Sequence, residues 1–293
     1  MTPSTPAPLR DFGFYSSMDG VAATAAAIEF ILGQLPDRNR WCVEFGAWDG
    51  LMGSTSRPLI LQHDYSAALI ESDRDRFAEL QKNYADRKNI ITRNQFVGFT
   101  AADGLDAILA GTPIPVNFDF LTVDIDGNDY HVWHAVVKYR PKVVMIEFNP
   151  TIPAEINFIQ PADPQVSQGS SLAAFVELGK KKGYELLAVL GVNAFFVTAE
   201  LFPRFGISDN RMEALWTQRD CVTYFFLGYD GRVFLRGCQK LPWQEHVPFH
   251  EGQVQVLPGF LQKYPWAKKH RRLHAALTNP VALVKKVVRR LTG

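Results

Sequence analysis

The sequence predicts an α/β protein: a doubly wound, mostly parallel seven-stranded sheet with helices on both faces, followed by a C-terminal extension. Three observations carry this. Five strand–helix units alternate between residues 41 and 182, the pattern of a parallel sheet wound on both sides. Phe118–Val123 is a near-continuous apolar run, as a strand buried on both faces requires. Tyr184–Leu190 and Ala194–Thr198 flank the turn Gly191-Val192-Asn193, so a closing hairpin brings one antiparallel strand near an edge.

The elements follow in order. Gly20–Leu35 is Ala-rich, with Ile28, Ile31 and Leu32 at helical spacing, and Pro36 stops the helix. Trp41–Phe45 is the first strand. Leu51–Gln62 is expected to be helical for part of its length, because Pro58 limits how early the helix can begin. Ser66–Ile70 is the second strand. Arg74–Tyr84 is a helix with Phe77, Leu80 and Tyr84 on one side. Ile90–Thr92 is a short third strand and Leu105–Leu109 a helical turn. After the fourth strand come a helix at Tyr130–Val137, a fifth strand at Lys142–Phe148, and a helix at Leu172–Lys182 ended by Gly183. Residues 199–262 mix Trp, Phe, Pro and Gly, with a strand expected at Tyr224–Gly228 and a tight turn at Tyr229–Arg232. The organisation read from this is an N-terminal arm and helix (1–35), a core (36–200), a cap or extension packed on the core (201–262) and a basic amphipathic tail (263–293).

Composition places the chain among ordinary globular proteins, at 47% hydrophobic and 21% charged residues. No apolar run reaches the ~18 residues of a membrane span. Met1–Leu9 is rich in Pro, Thr and Ser and reads as a loose arm, not an export signal. Three cysteines without metal-ligand spacing fit a reduced, cytoplasmic setting. Charge is unevenly spread. Lys263–Gly293 holds nine Lys/Arg and no Asp/Glu, whereas the rest holds 22 Lys/Arg against 30 Asp/Glu. An acidic body with a +9 tail predicts that the tail meets something anionic.

The informative residues cluster where strands end, which is where open α/β sheets bind ligands. After the first strand, Glu44, Gly46 and Gly50 combine a carboxylate with a glycine turn that lets backbone approach a ligand closely. A dehydrogenase would place three glycines here for a pyrophosphate. A carboxylate repels phosphate and favours a ligand with a cation or hydroxyl donors. S-adenosylmethionine has both. Glu71, 27 residues beyond Glu44, stands where an acceptor-only carboxylate takes both ribose hydroxyls, or else caps the helix that begins at Arg74.

The fourth strand ends Asp124-Ile125-Asp126-Gly127-Asn128-Asp129-Tyr130 and the fifth Glu147-Phe148-Asn149-Pro150. A calcium loop is excluded, since the glycine comes early and no glutamate closes the loop. Two readings stay open. Asp124, Asp126, Glu147 and Asn149 hold a hard divalent cation such as magnesium. Alternatively, Asp124 contacts the donor's amino group while Asn128 or Asp129 caps the following helix. His131, in that helix's first turn, is either a general base or a surface histidine, and His134 is structural. Trp48, Tyr130 and Trp133 either stack on a sugar ring or pack in the core.

Val43–Gly50, Ile70–Asp73, Val123–Tyr130 and Ile146–Pro150 together resemble the FkbM-like class I S-adenosylmethionine-dependent methyltransferases over about residues 40–200. The first two motifs are generic to class I enzymes. The last two are more specific to a bacterial subgroup often encoded near sugar and surface-polysaccharide genes. The resemblance implies that Glu44, Gly46 and Gly50 line the methionine moiety, that Glu71 holds the ribose, and that Asp124 lies near the transferring methyl. The function expected is O-methylation of a sugar, glycan or glycolipid hydroxyl, with Asp124 and, from its place in the helix's first turn, His131 as the candidate catalytic residues. Many relatives carry glutamate where Asp126 stands. The competing expectation is a catalytically silent module that recruits partners to a membrane or glycan surface, and a homo-oligomer fits either.

In the tail, Pro280 precedes Val281, Val284, Val287, Val288 and Leu291 at helical spacing, interleaved with Lys285, Lys286, Arg289 and Arg290. That pattern predicts either an interfacial helix on the inner face of the membrane or an apolar side docked on protein. Nucleic acid is not expected, since no base-stacking motif accompanies the charge.

Overall fold

The computed structural model describes residues 17–217 and 219–265 and, in the tail, Val281, Lys285, Val288 and Arg289. Side-chain burial is described from residue 23 onward. The expected arm at Met1–Leu9 and most of the expected 280–293 helix lie outside the described residues. The chain divides after Arg219 into two compact units. Among the described residues, no helix is long and apolar enough to cross a membrane.

The first unit opens with α1 (Ser17–Gly33), β1 (Trp41–Phe45), α2 (Arg57–Gln62), β2 (Ser66–Glu71), α3 (Arg74–Asn83) and β3 (Ile90–Asn94). It continues with α4 (Leu105–Ile108), β4 (Phe120–Val123), α5 (Asp129–Ala135), β5 (Val143–Glu147), α6 (Leu172–Lys181), β6 (Tyr184–Leu190), β7 (Asn193–Thr198) and a short α7 (Met212–Leu215). The seven strands form one sheet in the order β3-β2-β1-β4-β5-β7-β6. β7 alone runs antiparallel to its neighbours, as the predicted closing hairpin requires.

Residue alternation assigns the two faces. Cys42, Ala67, Leu69, Phe120 and Met145 share a cluster with Ile28, Ile31 and Leu32 of α1 and with Leu80 of α3. On α5, Trp133 is fully buried, its ring 5.0 Å from Phe196 and 5.7 Å from Tyr184. Of the two readings of Trp133, stacking on a sugar or packing in the core, the structure takes the second. Within the expected Leu51–Gln62 span, α2 begins at Arg57 with Pro58 in its first turn, as the proline requires. Residues 51–56 are held as a loop, for a reason that lies in the site below.

A buried carboxylate organises the sheet's amino edge. Asp119 is fully buried and accepts from the Asn39 N–H (3.2 Å), the Arg40 N–H (2.9 Å), the Tyr65 hydroxyl (3.2 Å) and the Lys142 ammonium (2.7 Å). Lys142 also donates to the Asp37 carbonyl. These bonds tie together the segments entering β1, β2, β4 and β5. Removing one side of a buried, hydrogen-bonded pair strands the other charge.

In the second unit, β8 (Thr223–Leu227) pairs antiparallel with β9 (Val233–Gly237), and β10 (Lys240–Leu241) with β11 (Val247–Pro248). The predicted strand and turn at 224–232 are thus one half of a hairpin whose return strand the sequence reading did not identify. The outer edge of β9 is occupied by side chains. Gln255 accepts from the Val233 N–H (3.1 Å) and donates to its carbonyl (2.9 Å), while Glu251 accepts from the Leu235 N–H (3.2 Å).

Asp119→Ala is expected to lower folding stability by about 3–5 kcal/mol, the usual cost of orphaning a buried partner. Urea unfolding should show a lower midpoint with an unchanged slope.

Candidate functional site

Beyond the carboxyl ends of β1, β2, β3 and β4 lies a cavity of about 510 Å³. It is within the range of small-molecule sites, roughly 300–1,000 Å³. Glu44, Glu71, Asp124 and Asp126 line it, together with Gly46, Trp48, Thr55, Phe96, Val97 and Thr122 among others. No Lys, Arg or His is among its lining residues.

Glu44 is buried and holds the loop that precedes α2. Its carboxylate accepts from the Ser54 hydroxyl (2.6 Å), the Thr55 N–H (2.9 Å), the Thr55 hydroxyl (3.0 Å) and the Ser56 N–H (3.3 Å). Four bonds to three consecutive residues fix the course of that loop. Thr55 continues the network to Thr122 on β4, oxygen to oxygen 2.7 Å. Glu44 thus shapes the cavity wall that the sequence reading assigned to ligand contact.

Glu71 is also buried, with one oxygen accepting from the Trp48 N–H and the other from the Asp73 N–H, both at 2.8 Å. The alternative in which Glu71 caps α3 fails, because Asp73 does that through the Asp75 and Arg76 N–H groups. Glu71 keeps lone pairs for the cavity it lines.

The two glycines part company. Gly46, at φ +71°, has the Asp124 carbonyl 2.5 Å from where a Cβ would stand, so only glycine lets the β1 and β4 loops close on each other. Gly50, at φ +73°, meets Leu80 and Tyr84 of α3 at 2.5 Å and does not line the cavity. Its expected place beside the cofactor is corrected: it is required for packing on α3.

The β4 loop is folded around Asp129. This buried carboxylate accepts from the Ile125 N–H (2.9 Å) and the Gly127 N–H (3.0 Å), pinching the loop so that Asp126 stands at φ +55°. Neither Asn128 nor Asp129 caps α5 as expected. The Asn128 amide donates to the carbonyls of Asp163 (3.0 Å) and Val166 (3.3 Å). The pinch turns Asp124 and Asp126 to the cavity, and side-chain oxygens of Asp124, Asp126 and Glu147 lie within 4.8 Å of one another.

So many acids in one place raise their own proton affinity. Desolvation pushes the Glu147 carboxyl up, and the charges of Asp124, Asp129 and Asp126 push it further. Glu147 holds the proton and donates it in a hydrogen bond to Asp124, a carboxylate that water reaches through the open cavity but that protein crowds on its other sides. Asp129 rises to about 7, chiefly by burial and secondarily by the charge of Asp124.

Other expected site residues are elsewhere. Asn149 is spent: its oxygen accepts from the Thr151 N–H (2.9 Å) and hydroxyl (2.6 Å), and its amide donates to the Gln168 carbonyl (2.7 Å). It is not a metal ligand. His131 does not line the cavity; its Nε2 donates to the Gln160 carbonyl at 2.8 Å, which engages that nitrogen in a structural bond. The general-base expectation for His131 is corrected accordingly. His134 stacks on Tyr130, rings 6.2 Å apart, in line with a structural role. Tyr130 itself packs on Phe175 at 5.8 Å, whereas Trp48 lies at the cavity mouth under the Arg76 guanidinium, 4.3 Å from its ring centre. The wall formed by Gln95, Phe96 and Val97 was missed, because the third strand was ended at Thr92 and its carboxyl end therefore went unread.

Strand order β3-β2-β1-β4-β5-β7-β6 with β7 reversed defines the class I, Rossmann-like methyltransferase fold. No protein-family profile matches the sequence, and no curated protein matches it significantly. Similar solved structures include the citrinin polyketide synthase CMeT domain, at 13% identity over 62% of this chain and 52% of that one, TM-score 0.42. The CurJ carbon methyltransferase is 12% identical over 62% and 55%, TM-score 0.41. The glycopeptide N-methyltransferase MtfA, solved with S-adenosyl-L-methionine, is 13% identical over 60% and 86%, TM-score 0.36. The chain thus spans about half the length of the first two.

Raised carboxyl groups make stability depend on pH in an unusual sense. Between about pH 4 and 7, folded Asp129 binds more proton than unfolded Asp129 does, so stability falls as pH rises through that window. The Glu147 shift acts in the same direction. The ligand-free protein should therefore melt lower at pH 8 than at pH 5.5, and Glu147→Gln should flatten the trend. Scanning calorimetry across that range checks it.

Proposed function

We propose that the protein is an S-adenosylmethionine-dependent methyltransferase. The observation that carries this is a cavity at the topological switch of the sheet lined by four carboxylates and no basic side chain. A phosphorylated coenzyme would be repelled there. A ligand with an ammonium, a sulfonium and ribose hydroxyls matches the donor set. In this reading Glu71 accepts the ribose hydroxyls, Gly46 lets backbone approach the methionine part, and Asp124, backed by Glu147, faces the ammonium. Phe96, 49% exposed on the cavity wall, offers a ring face to the adenine. When bound, the donor supplies an electrophilic methyl group; the protein supplies proximity and alignment, worth ~7–11 kcal/mol. Asp124, in contact with a neighbour that already holds a proton, is the available carboxylate base for an acceptor hydroxyl.

The acceptor we infer is a hydroxyl of a sugar or surface glycan. Support comes from the FkbM-like motifs at 123–130 and 146–150 and from Trp48, 46% exposed at the cavity mouth. Mass spectrometry of cell-envelope glycans from a deletion strain should show a methyl group missing from one sugar. A second reading concerns Asp124, Asp126 and Glu147, whose mutual approach within 4.8 Å also suits a hard divalent cation. Activity lost on chelation and regained with magnesium would favour the cation, and unchanged activity would favour the shared proton.

Calorimetry should detect binding of S-adenosylmethionine or its demethylated product. Glu71→Gln is expected to weaken it at least tenfold, about 1.4 kcal/mol. Because a cation beside Glu147 lowers its proton affinity, binding at pH 7 should release proton, seen as a heat that varies with the ionisation enthalpy of the buffer. Absence of any binding heat at millimolar ligand would sink the reading.

A further inference from the structure

Exposed apolar side chains are concentrated in the second unit. Eleven of the large ones lie between Tyr224 and Tyr264, against eight in residues 17–217. They include Phe225 (60% exposed) and Tyr229 (91%) in and beside the β8–β9 hairpin, and Trp243, Phe260 and Tyr264 beyond it. Isolated exposed apolar residues are ordinary, but this density marks an interaction surface. Both faces of β8 are exposed, while Val233 and Leu235 of β9 are buried. One face carries Phe225 and Leu227; the other carries Tyr224 and the stacked pair Phe226–Phe234, rings 5.2 Å apart, with the Arg236 guanidinium 5.8 Å from each.

Charge identifies the partner. Residues 220–293 hold 12 Lys/Arg and 4 Asp/Glu, a net +8, while residues 1–219 hold 19 and 26, a net −7. The helical tail residues Val281, Lys285 and Arg289 are all exposed. Aromatic rings with polar edges, aliphatic side chains and clustered cations on one unit match the layered chemistry of an anionic bilayer surface: acyl boundary, headgroup, phosphate. Glycan binding would account for the rings but not for the net charge, and pairing of this unit with the same unit of a second copy would place +8 against +8.

We propose that residues 220–293 form a peripheral membrane-binding unit in which the β8–β9 hairpin and its neighbouring aromatics enter the interface of an anionic bilayer, with the basic tail binding the headgroups. The unit recruits the protein to membrane from solution without spanning it. This is independent of the reaction assigned to the first unit.

Flotation of the full chain with phosphatidylcholine vesicles containing 30% phosphatidylglycerol tests it. Binding is expected at 0.1 M salt, with loss on pure phosphatidylcholine and at about 0.5 M salt, as screening requires. Lys285→Glu with Arg289→Glu should weaken partitioning about tenfold or more. Phe225→Ser with Tyr229→Ser alters only exposed side chains and should weaken it similarly, with unchanged melting temperature and donor binding. The proposal is overturned if the parent stays with the buffer at low salt, or if the Phe225→Ser/Tyr229→Ser protein floats like the parent. It is equally overturned if that variant instead converts a dimer to a monomer in sedimentation while vesicle binding is absent.

Discussion

Uncompensated negative charge at one edge of the sheet is the constraint on which the rest of this protein turns. Carboxylates are collected at both edges, but under opposite conditions. At the amino edge Asp119 is paired with Lys142 and fully hydrogen-bonded, so its charge is neutralised internally and serves the fold. At the carboxyl edge side-chain oxygens of Asp124, Asp126 and Glu147 lie within 4.8 Å of one another, and burial together with the neighbouring charges raises the proton affinity of Glu147. Negative charge gathered in this way is what a cationic ligand stabilises. The contrast separates a structural acid from a functional one by its partners, not by its residue type.

The acids of the carboxyl edge also divide labour. Glu44, Glu71 and Asp129 each turn a carboxylate on backbone N–H groups of a loop that follows a strand. Those loops have few apolar residues with which to fix themselves, and charge-assisted bonds to backbone supply the rigidity that packing cannot. Gly46 permits two of them to meet, since any side chain there would collide with the Asp124 carbonyl. The cavity is therefore preorganised by the same residue class that gives it its charge, and that economy makes the binding surface sensitive to pH.

Resolved into its two units, the chain segregates both chemistry and charge. The first is acidic and buries most of its described aromatics, Trp133 among them, with Trp48 and Phe96 exposed at the cavity. The second is basic and exposes Tyr224, Phe225, Phe226, Tyr229, Trp243, Phe260 and Tyr264. A hairpin this small has too little interior to hide Tyr-Phe-Phe-Leu, and the side chains of Gln255 and Glu251 cover only the edge of β9. Apolar exposure of that kind persists where it is used.

The sequence by itself determined the sheet, its reversed strand, the acidic strand ends and the basic tail. Each is written in local signals: apolar period, glycine and proline positions, and runs of like charge. That Glu44, Glu71 and Asp124 line the cavity was legible because strand ends are predictable and open sheets form their crevice there. What lay beyond local reading was the direction of each side chain. Asn149 and His131 have ligand-type chemistry and stand at the right place along the chain, yet each spends its polar atoms on the loop joining β5 to α6, whose course sequence spacing does not reveal. Gly50 reads as a ligand glycine until α3 is seen against it. The same holds for the loop before α2: Pro58 limits the helix from its own position, but the bonds from Glu44, ten residues upstream, to Ser54, Thr55 and Ser56 are not written locally. Tertiary structure decided these points because hydrogen-bond partners distant along the chain compete for the same donors, and geometry settles the competition.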